Sequence, residues 1–328
     1  MTVAPDAVTA VVPVWNRREL IAPLLRNLAE QTLPPAAVLV VDNGSADGAA
    51  EAAEAEGARV IRMGRNAGFA PAVNRGIREC ATAWVAVLNN DVTLAPDYLE
   101  RLLGAAAGSD AWFATGKIFA AGEDAILDGT FDLVSRAGTA WRAGHGEPDA
   151  PEFSTRRPIY SAPWTAALFR TALFAKTGLL EESFQSYLED VEFGIRCVRS
   201  GCAGVYVPEA VAWHLGSATL GSWHPDTVRR ISRNQVWLVA RHFSARYAWA
   251  AIAGQFLWGC VALRHGAGGA WLRGKWEGLR GWRAARSTYS PMVPPALDDW
   301  LRKNESHLRS SRLWYWRLYF LLTPGEAK

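Results

Sequence analysis

The chain has few of the residues that staple a fold or announce a metal by pattern. Its four cysteines, Cys80, Cys197, Cys202 and Cys260, stand at no disulfide or metal-binding spacing in 328 residues. A disulfide scaffold is therefore not expected, and packing roles in a reducing compartment are. The N-terminal stretch MTVAPDAVTAVVPVW has no basic region leading into a long apolar segment, so no signal peptide is expected and the cytoplasm is the expected location. The uncharged run Tyr247–Leu263 is seventeen residues long. That is short of the roughly twenty needed to cross a bilayer, and Gln255 interrupts it near the middle. No internal repeat is evident.

Half of the residues are hydrophobic and 20% are charged, a globular composition with ample length for a real core. The net charge of +3 conceals an asymmetry. Residues 229–328 carry fourteen Arg and three Lys against five acids, a balance of +12; the remainder carries 18 basic and 27 acidic residues, a balance of −9. The same basic segment holds nine of the sixteen tryptophans. Arg and Trp together suit the headgroup layer of an anionic membrane better than a nucleic-acid groove. A helical lid or a contact between two copies of the chain remains open as the alternative use.

The first half alternates short apolar runs with helical patterns. Val8–Val14, Ala37–Val41, the ARVIRM stretch and Trp84–Leu88 read as strands. Between them, helices are predicted with Leu20, Leu24, Leu25 and Leu28 on one face, over Ala49–Glu56, and over Gly68–Cys80, where Pro71 falls in the first turn. Another helix opens near Pro96. This rhythm predicts a mainly parallel α/β sheet flanked by helices, with ligands beyond the carboxyl ends of its strands. Asn16, Asp42 and Asp91 all fall at such ends. From Trp112 to Tyr160 the pattern breaks into strands and Gly-rich connections, and RAGHGEPDAPEFSTRRP is expected to be a mobile loop. WTAALFRTALFAKTG reads as a strand and a short helix closed by Gly178. The boundary between a catalytic domain (1–225) and a basic, Trp-rich helical region (226–328) is expected near Ser222–Asp226.

Five segments, VVPVWNR, VVDNGSADG, NAGFAPAVNRG, LNNDV and YLEDVEFGIR…VPEAVAWH, follow one another in order. In that order they resemble the family-two inverting glycosyltransferases of the glycosyltransferase-A fold, and within them the bacterial rhamnosyltransferase-like branch. The resemblance runs from about Val8 to Thr219. It implies a nucleotide-sugar donor, dTDP-L-rhamnose, with a UDP-hexose as the rival donor. It also implies a polymeric or lipid-linked glycan acceptor of the bacterial envelope; with the basic, Trp-rich segment, the expected location is peripheral on the inner face of the cell membrane. A catalytically silent nucleotide-sugar-binding protein is the alternative of another class.

The resemblance also distributes roles. Asp42 would read the nucleobase, whose N–H a carboxylate accepts, with Asn43 beside it. Pro13, Asn16, Arg65, Asn66, Gly68, Asn74 and Asn90 would line the donor nucleotide, the Gly68 helix start suiting phosphate because free N–H groups face the anion. Asp91 matches the last acid of the family's Asp-x-Asp position and would hold Mg²⁺ or Mn²⁺, although Asn89 replaces the first acid. His214 would join it on the metal. Asp190 would be the catalytic base that deprotonates the acceptor hydroxyl, doubling as a helix N-cap. Glu189 would orient loop or acceptor. Trp164 and Thr165 would form an acceptor or sugar wall, with core packing an equal alternative for Trp164. His145 and His224 receive no role.

Overall fold

The computed structural model describes residues 7–123, 125–216, 223–287 and 295–324. The chain divides into two compact units, and the first holds Asp132 and what precedes it together with Arg142–Thr219. Its first strands are β1 (Val8–Val14), β2 (Ala37–Asp42), β3 (Arg59–Arg62) and β4 (Trp84–Leu88), and its first helices are α1 (Ile21–Ala29), α2 (Ala49–Ala55) and α3 (Phe69–Arg78). These strands lie in the order β4-β1-β2-β3, all parallel, as the alternating pattern predicts. β1 and β4 are apolar on both faces because helices cover both sides of a parallel sheet. In α1 the buried residues Ile21, Leu24, Leu25 and Leu28 repeat at helical spacing and meet the core. α3 approaches the sheet closely through Gly76, where a Cβ would overlap the Val11 side chain.

Beyond β4 the sheet turns mixed. β5 (Val92–Leu94) precedes α4 (Tyr98–Ala107), and β6 (Phe113–Ala120) and β7 (Leu127–Gly129) follow. The short pair β8 (Asp132–Val134) and β9 (Ala140–Arg142) forms a separate two-stranded sheet. β10 (Arg157–Ile159), β11 (Ala166–Arg170), α5 (Leu173–Thr177), α6 (Glu189–Arg199) and β12 (Gly204–His214) complete the unit. β11 runs antiparallel between β4 and β6, while β12 runs parallel to β6 and antiparallel to β5 and β10. The strand β5 escapes the sequence pattern because three residues, Val-Thr-Leu, carry too short an alternation to register. The stretch expected to be mobile is instead built into this unit. Tyr206 Oη donates to the Phe153 carbonyl at 2.7 Å, Lys117 Nζ bonds Asp149 at 2.7 Å, and β10 pairs with β12. Gly and Pro there shape turns between bonded segments rather than free chain.

The second unit contains α7 (Pro225–His242), α8 (Ala248–Arg264), α9 (Gly268–Arg280), α10 (Trp282–Arg286), α11 (Pro295–Leu308) and α12 (Trp314–Leu322). It also takes in Leu133–Trp141, the tip of the β8–β9 hairpin, which a linear boundary near Ser222–Asp226 assigns elsewhere. The reason is local bonding. Glu305 accepts from both the backbone N–H and Nε of Arg136 at 2.9 Å, and Tyr319 Oη donates to it at 2.8 Å. Tyr315 Oη bonds Thr139 and the Gly254 carbonyl. α9 lies close on α7 because Gly274 and Gly278 face the Arg229 and Arg233 carbonyls, where no Cβ would fit. Lys275 Nζ, half-buried at this junction, donates to the Ser232 carbonyl, Gln235 and Gln255 and so joins α7, α8 and α9.

Candidate active site

Strand register creates the centre of the site. In the β5–β12 pairing His214 lies opposite Val92, the residue after Asp91, so the last residue of β12 is delivered beside that acid. The break in the β6–β12 register between Val207 and Val211 re-aims the end of β12. β7, paired with β6, brings in Asp128. The outcome is a line of three groups: Asp91 Oδ1 lies 3.1 Å from His214 Nε2, and His214 Nδ1 donates to Asp128 Oδ2 at 3.0 Å. Burial disfavours the imidazolium, but bonds to Asp128 and Asp91 and their charges outweigh it and raise His214 to about 9. Burial likewise pushes Asp128 up, yet the His214 bond and the Arg142, His214 and His145 charges prevail and hold it at about 2.

Asp91 Oδ1 is buried and has no well-aligned hydrogen bond, despite its closeness to His214 Nε2. A carboxylate oxygen and an imidazole nitrogen facing each other, the imidazole held from behind by a second carboxylate, suit a divalent cation and its supporting shell. Among the described residues no three acids, histidines or cysteines converge on one point. Asp91 and His214 are the two side chains there whose chemistry would suit a divalent cation.

Arg142 extends the line toward α6. Its Nη1 bonds Asp128 Oδ2 at 3.1 Å and Thr165 Oγ1 at 3.4 Å, and its Nε lies 3.6 Å from Asp132 Oδ1. Gly129, at φ 151°, makes room for this, since a Cβ there would overlap Cγ and Cδ of Arg142. Asp132 is buried and accepts from Ser161 Oγ at 3.2 Å. Burial and the Asp190 charge push its carboxyl up to about 7, against the pull of Arg142. Burial raises Asp190 as well, opposed by Arg142 and the backbone bonds it accepts. Two carboxylates thus share one guanidinium, and burial pushes both upward against its pull.

Asp190 is the second residue of α6 rather than its N-cap. Leu188 takes the cap position at φ 65°, and Asp190 Oδ1 accepts the Val191 N–H at 2.8 Å. The approach to the helix is strained, with Gln185, Tyr187 and Leu188 all in the left-handed region that non-glycine residues seldom occupy. The N-terminus of α3 fixes it: Phe69 N–H donates to Ser186 Oγ at 3.1 Å and Ala70 N–H to the Gln185 carbonyl at 2.8 Å. These two N–H groups are consequently engaged by protein, which corrects the expectation of a phosphate seat at the start of α3.

The remaining expected residues separate into two groups. Pro13 in β1 sits one position before Val14, which pairs with Asp42. Buried Asp42 accepts from Ser45 N–H at 3.0 Å, and Asn16, at φ 61°, donates its N–H to Ser45 Oγ and accepts from Ala46 N–H through Oδ1. Asn43 donates to Asn66 Oδ1 and the Gly68 carbonyl, while exposed Arg65 passes with its backbone against Gly44. This cluster forms the carboxyl end of β2, and Asn90 lies at the corresponding end of β4. The second group departs from the site. Buried Asn74 donates to the Leu180 carbonyl and Glu182 and accepts from Leu180 N–H, so it braces α3 rather than facing a nucleotide. Trp164 is 2% exposed and packs on Phe169 and Phe193 with centroids 4.3 and 5.0 Å away, which makes it core rather than a sugar wall. Thr165 keeps contact with the site through Arg142, and Glu189 is the buried first residue of α6.

Sequence reasoning missed Asp128, Asp132, Arg142 and Ser161, and it set His145 aside. His145 Nδ1 donates to the Asp128 carbonyl at 2.8 Å. All lie in or beside the segment without periodicity, where no pattern singled them out. The half-buried arginine among three aspartates emerges only when β7 and β9 are folded together.

Three comparisons bear on this arrangement. Residues 9–177, just over half of the chain, match the Glycosyl transferase family 2. The N-acetylglucosaminyl-diphospho-decaprenol L-rhamnosyltransferase of Mycobacterium tuberculosis is 28% identical over 239 residues, covering 64% of this chain and 76% of that protein. The pre-mycofactocin glycosyltransferase of the same organism is 30% identical over 220 residues, 66% of this chain and 44% of the relative. Among solved structures, GalNAc-T7 with UDP, GalNAc and Mn²⁺ superposes with a TM-score of 0.62 at 13% identity, over 77% of this chain and about half (51%) of that one. The Pyrobaculum calidifontis mannosyltransferase PcManGT with GDP-Man and Mn²⁺ gives 0.53 at 16% identity, over 98% and 88%. With the family's sequence pattern laid on a glycosyltransferase-A architecture, the chain belongs to glycosyltransferase family 2, on its rhamnosyltransferase-like branch.

Proposed function

We propose that the protein is an inverting, divalent-metal-dependent glycosyltransferase that moves L-rhamnose from dTDP-L-rhamnose to a lipid-linked or polymeric glycan acceptor. The observation that carries the chemistry is the line Asp91–His214–Asp128–Arg142–Asp132, with Asp190 at its far end. The sugar and acceptor class are supported by the name of the mycobacterial relative, which joins an L-rhamnosyl donor to a polyprenyl-diphosphate-linked sugar. The metal is supported by Mn²⁺ in both structural neighbours and by the buried, poorly bonded Asp91 oxygen.

In this reading Asp42 and its neighbours at the end of β2 receive the nucleobase. Asp91 and His214 would hold Mg²⁺ or Mn²⁺, whose chemistry is to neutralise charge on the departing diphosphate. Asp128 keeps the His214 ring oriented, with Nδ1–H toward the carboxylate and Nε2 toward Asp91. Asp190 accepts the proton of the acceptor hydroxyl while that oxygen bonds to the anomeric carbon from the face opposite the leaving group. The C–O bond to the nucleoside diphosphate breaks in the same step, which inverts the configuration. Arg142 opposes the rise of the Asp190 carboxyl, while burial and the Asp190 charge, against the pull of Arg142, push Asp132 toward its protonated form.

The test is release of nucleoside diphosphate from dTDP-L-rhamnose, UDP-hexoses and GDP-mannose, with and without Mg²⁺ or Mn²⁺, in the presence of a polyprenyl-diphosphate-linked sugar. Metal-dependent release from dTDP-L-rhamnose is the expected result. Selective release from another donor would transfer the reading to that sugar, and no release from any donor would leave a binding protein.

A further inference from the structure

Helix α8 is built inside out for a helix in water. Its buried face carries mainly small residues, Ala250, Ala251, Ala253, Gly254, Gly259 and Ala262, with Leu257. Its large apolar residues Trp249, Ile252, Phe256 and Leu263 point outward at spacings of three, four and seven, which is one helical stripe. On α9, Leu272, Trp276 and Leu279 form a second outward stripe at spacings of four and three. These seven side chains are each between 55 and 71% exposed. A monomer in water seldom displays so continuous an apolar set. α8 and α9 belong to one compact unit and are packed together, with Gly259 against the Trp271 ring.

The charge around the stripes selects the occupant. From Ala245 to Ser287 there are seven Arg or Lys and one acid. Lys275 is half-buried and bonded within the unit, but Arg264, Arg280 and Arg283 are exposed and have no carboxylate partner among the described residues. Arg280 stacks on the Trp276 ring at 3.8 Å, joining a cation to the aromatic body that anchors in a headgroup layer. Among the described residues no helix is long and apolar enough to cross a membrane. Apolar stripes bordered by unpaired arginines, on helices too short to span, match a helix lying in the interface plane.

We propose that the outward faces of α8 and α9 form a monotopic docking surface for an anionic lipid bilayer. The stripes enter the acyl boundary while Arg264, Arg280 and Arg283 meet lipid phosphates. This surface is independent of which sugar the catalytic unit transfers.

The experiment co-sediments the full-length chain with phosphatidylglycerol–phosphatidylcholine vesicles and with pure phosphatidylcholine vesicles. Binding to the anionic vesicles, weakened by salt, and quenching of Trp emission by brominated acyl chains are expected. The triple variant Trp249→Ser, Phe256→Ser, Trp276→Ser should bind at least ~10-fold more weakly, and Arg264→Glu with Arg280→Glu should remove the preference for anionic lipid. Donor turnover with a water-soluble acceptor and circular dichroism establish that both variants are folded. The charge variant changes only exposed residues and keeps the test alive if the triple variant misfolds. Failure of the folded wild type to bind either vesicle overturns the proposal, as does undiminished binding of both variants. Sedimentation equilibrium covers the rival occupant: a dimer that the triple variant converts to monomer, without vesicle binding, makes the face a self-contact and overturns the proposal too.

Discussion

The two units of this chain expose different things. Of the twelve large apolar side chains exposed among the described residues, eleven belong to the helical unit and only Leu215 to the sheet unit. The sheet unit instead collects buried or half-buried charge, Asp91, Asp128, Asp132, Arg142, Asp190 and His214, around one line of contacts. Desolvated charge raises or lowers proton affinities and prepares chemistry. Exposed apolar surface stores a drive to associate. One unit is organised to react and the other to attach, so changes in each should affect different measurements.

The largest expected effect lies in the sheet unit. Asp190→Asn should lower turnover at least ~100-fold while donor affinity stays near that of the wild type, measured by single-turnover kinetics and calorimetry. Turnover within a few-fold of wild type would remove Asp190 from the role of base. Next, Asp91→Ala or His214→Ala should weaken metal-dependent donor binding roughly 10- to 100-fold, and a chelator should reproduce the loss in the wild type. Vesicle binding should not change in either variant.

The helical unit is tested through stability. Glu305→Ala leaves Arg136 and the Tyr319 hydroxyl without their buried acceptor, and removal of one partner of a buried pair costs about 3 kcal/mol. A lowered melting temperature is expected, with little change in the pH dependence of catalysis. If that pH dependence shifts as much as the melting temperature falls, the division of labour between the units is wrong.

Two smaller effects sharpen the electrostatic reading. Gly129→Ala should displace the Arg142 stem. Arg142 opposes the rise of the Asp190 carboxyl, so its displacement raises that carboxyl further and moves the acidic limb of the pH–rate profile to higher pH. Asp132 is raised to about 7 in the fold, against about 4 in an unfolded chain. The folded state therefore binds the extra proton between those values, and stability contributed by Asp132 at low pH is lost as pH rises through about 7. Asp132→Asn should remove that slope, so its melting temperature relative to wild type should climb from pH 5 to pH 8. A constant difference across that range would contradict the raised carboxyl.

Much of the sheet unit could be read before folding. Continuous apolar runs such as Val8–Val14 and Trp84–Leu88 bury both faces, and the residues closing them, Asp42 and the Asn-Asn-Asp turn, stand where a parallel sheet presents its ligands. Reading was weakest where a residue's role depends on distant partners. Trp164 looked suited to stack on a sugar, but Phe169, Phe174 and Phe193 enclose it. Asn74 looked available to a nucleotide, but the Leu180–Glu182 turn engages its amide. His145 looked idle, and the fold puts it on the Asp128 carbonyl.

The sequence by itself determined the alternation of strands and helices, the sugar-transferase resemblance and the excess of Arg and Trp beyond residue 229, because each is a property of composition or near-neighbour spacing. Tertiary structure alone decided that His214 lands beside Asp91, through the β5–β12 register, and that Arg142 is enclosed by Asp128 and Asp132. It also decided that α8 turns its small residues inward and its large ones outward. A hydrophobic pattern states how much apolar surface a helix has; which side is covered depends on the neighbours that pack against it.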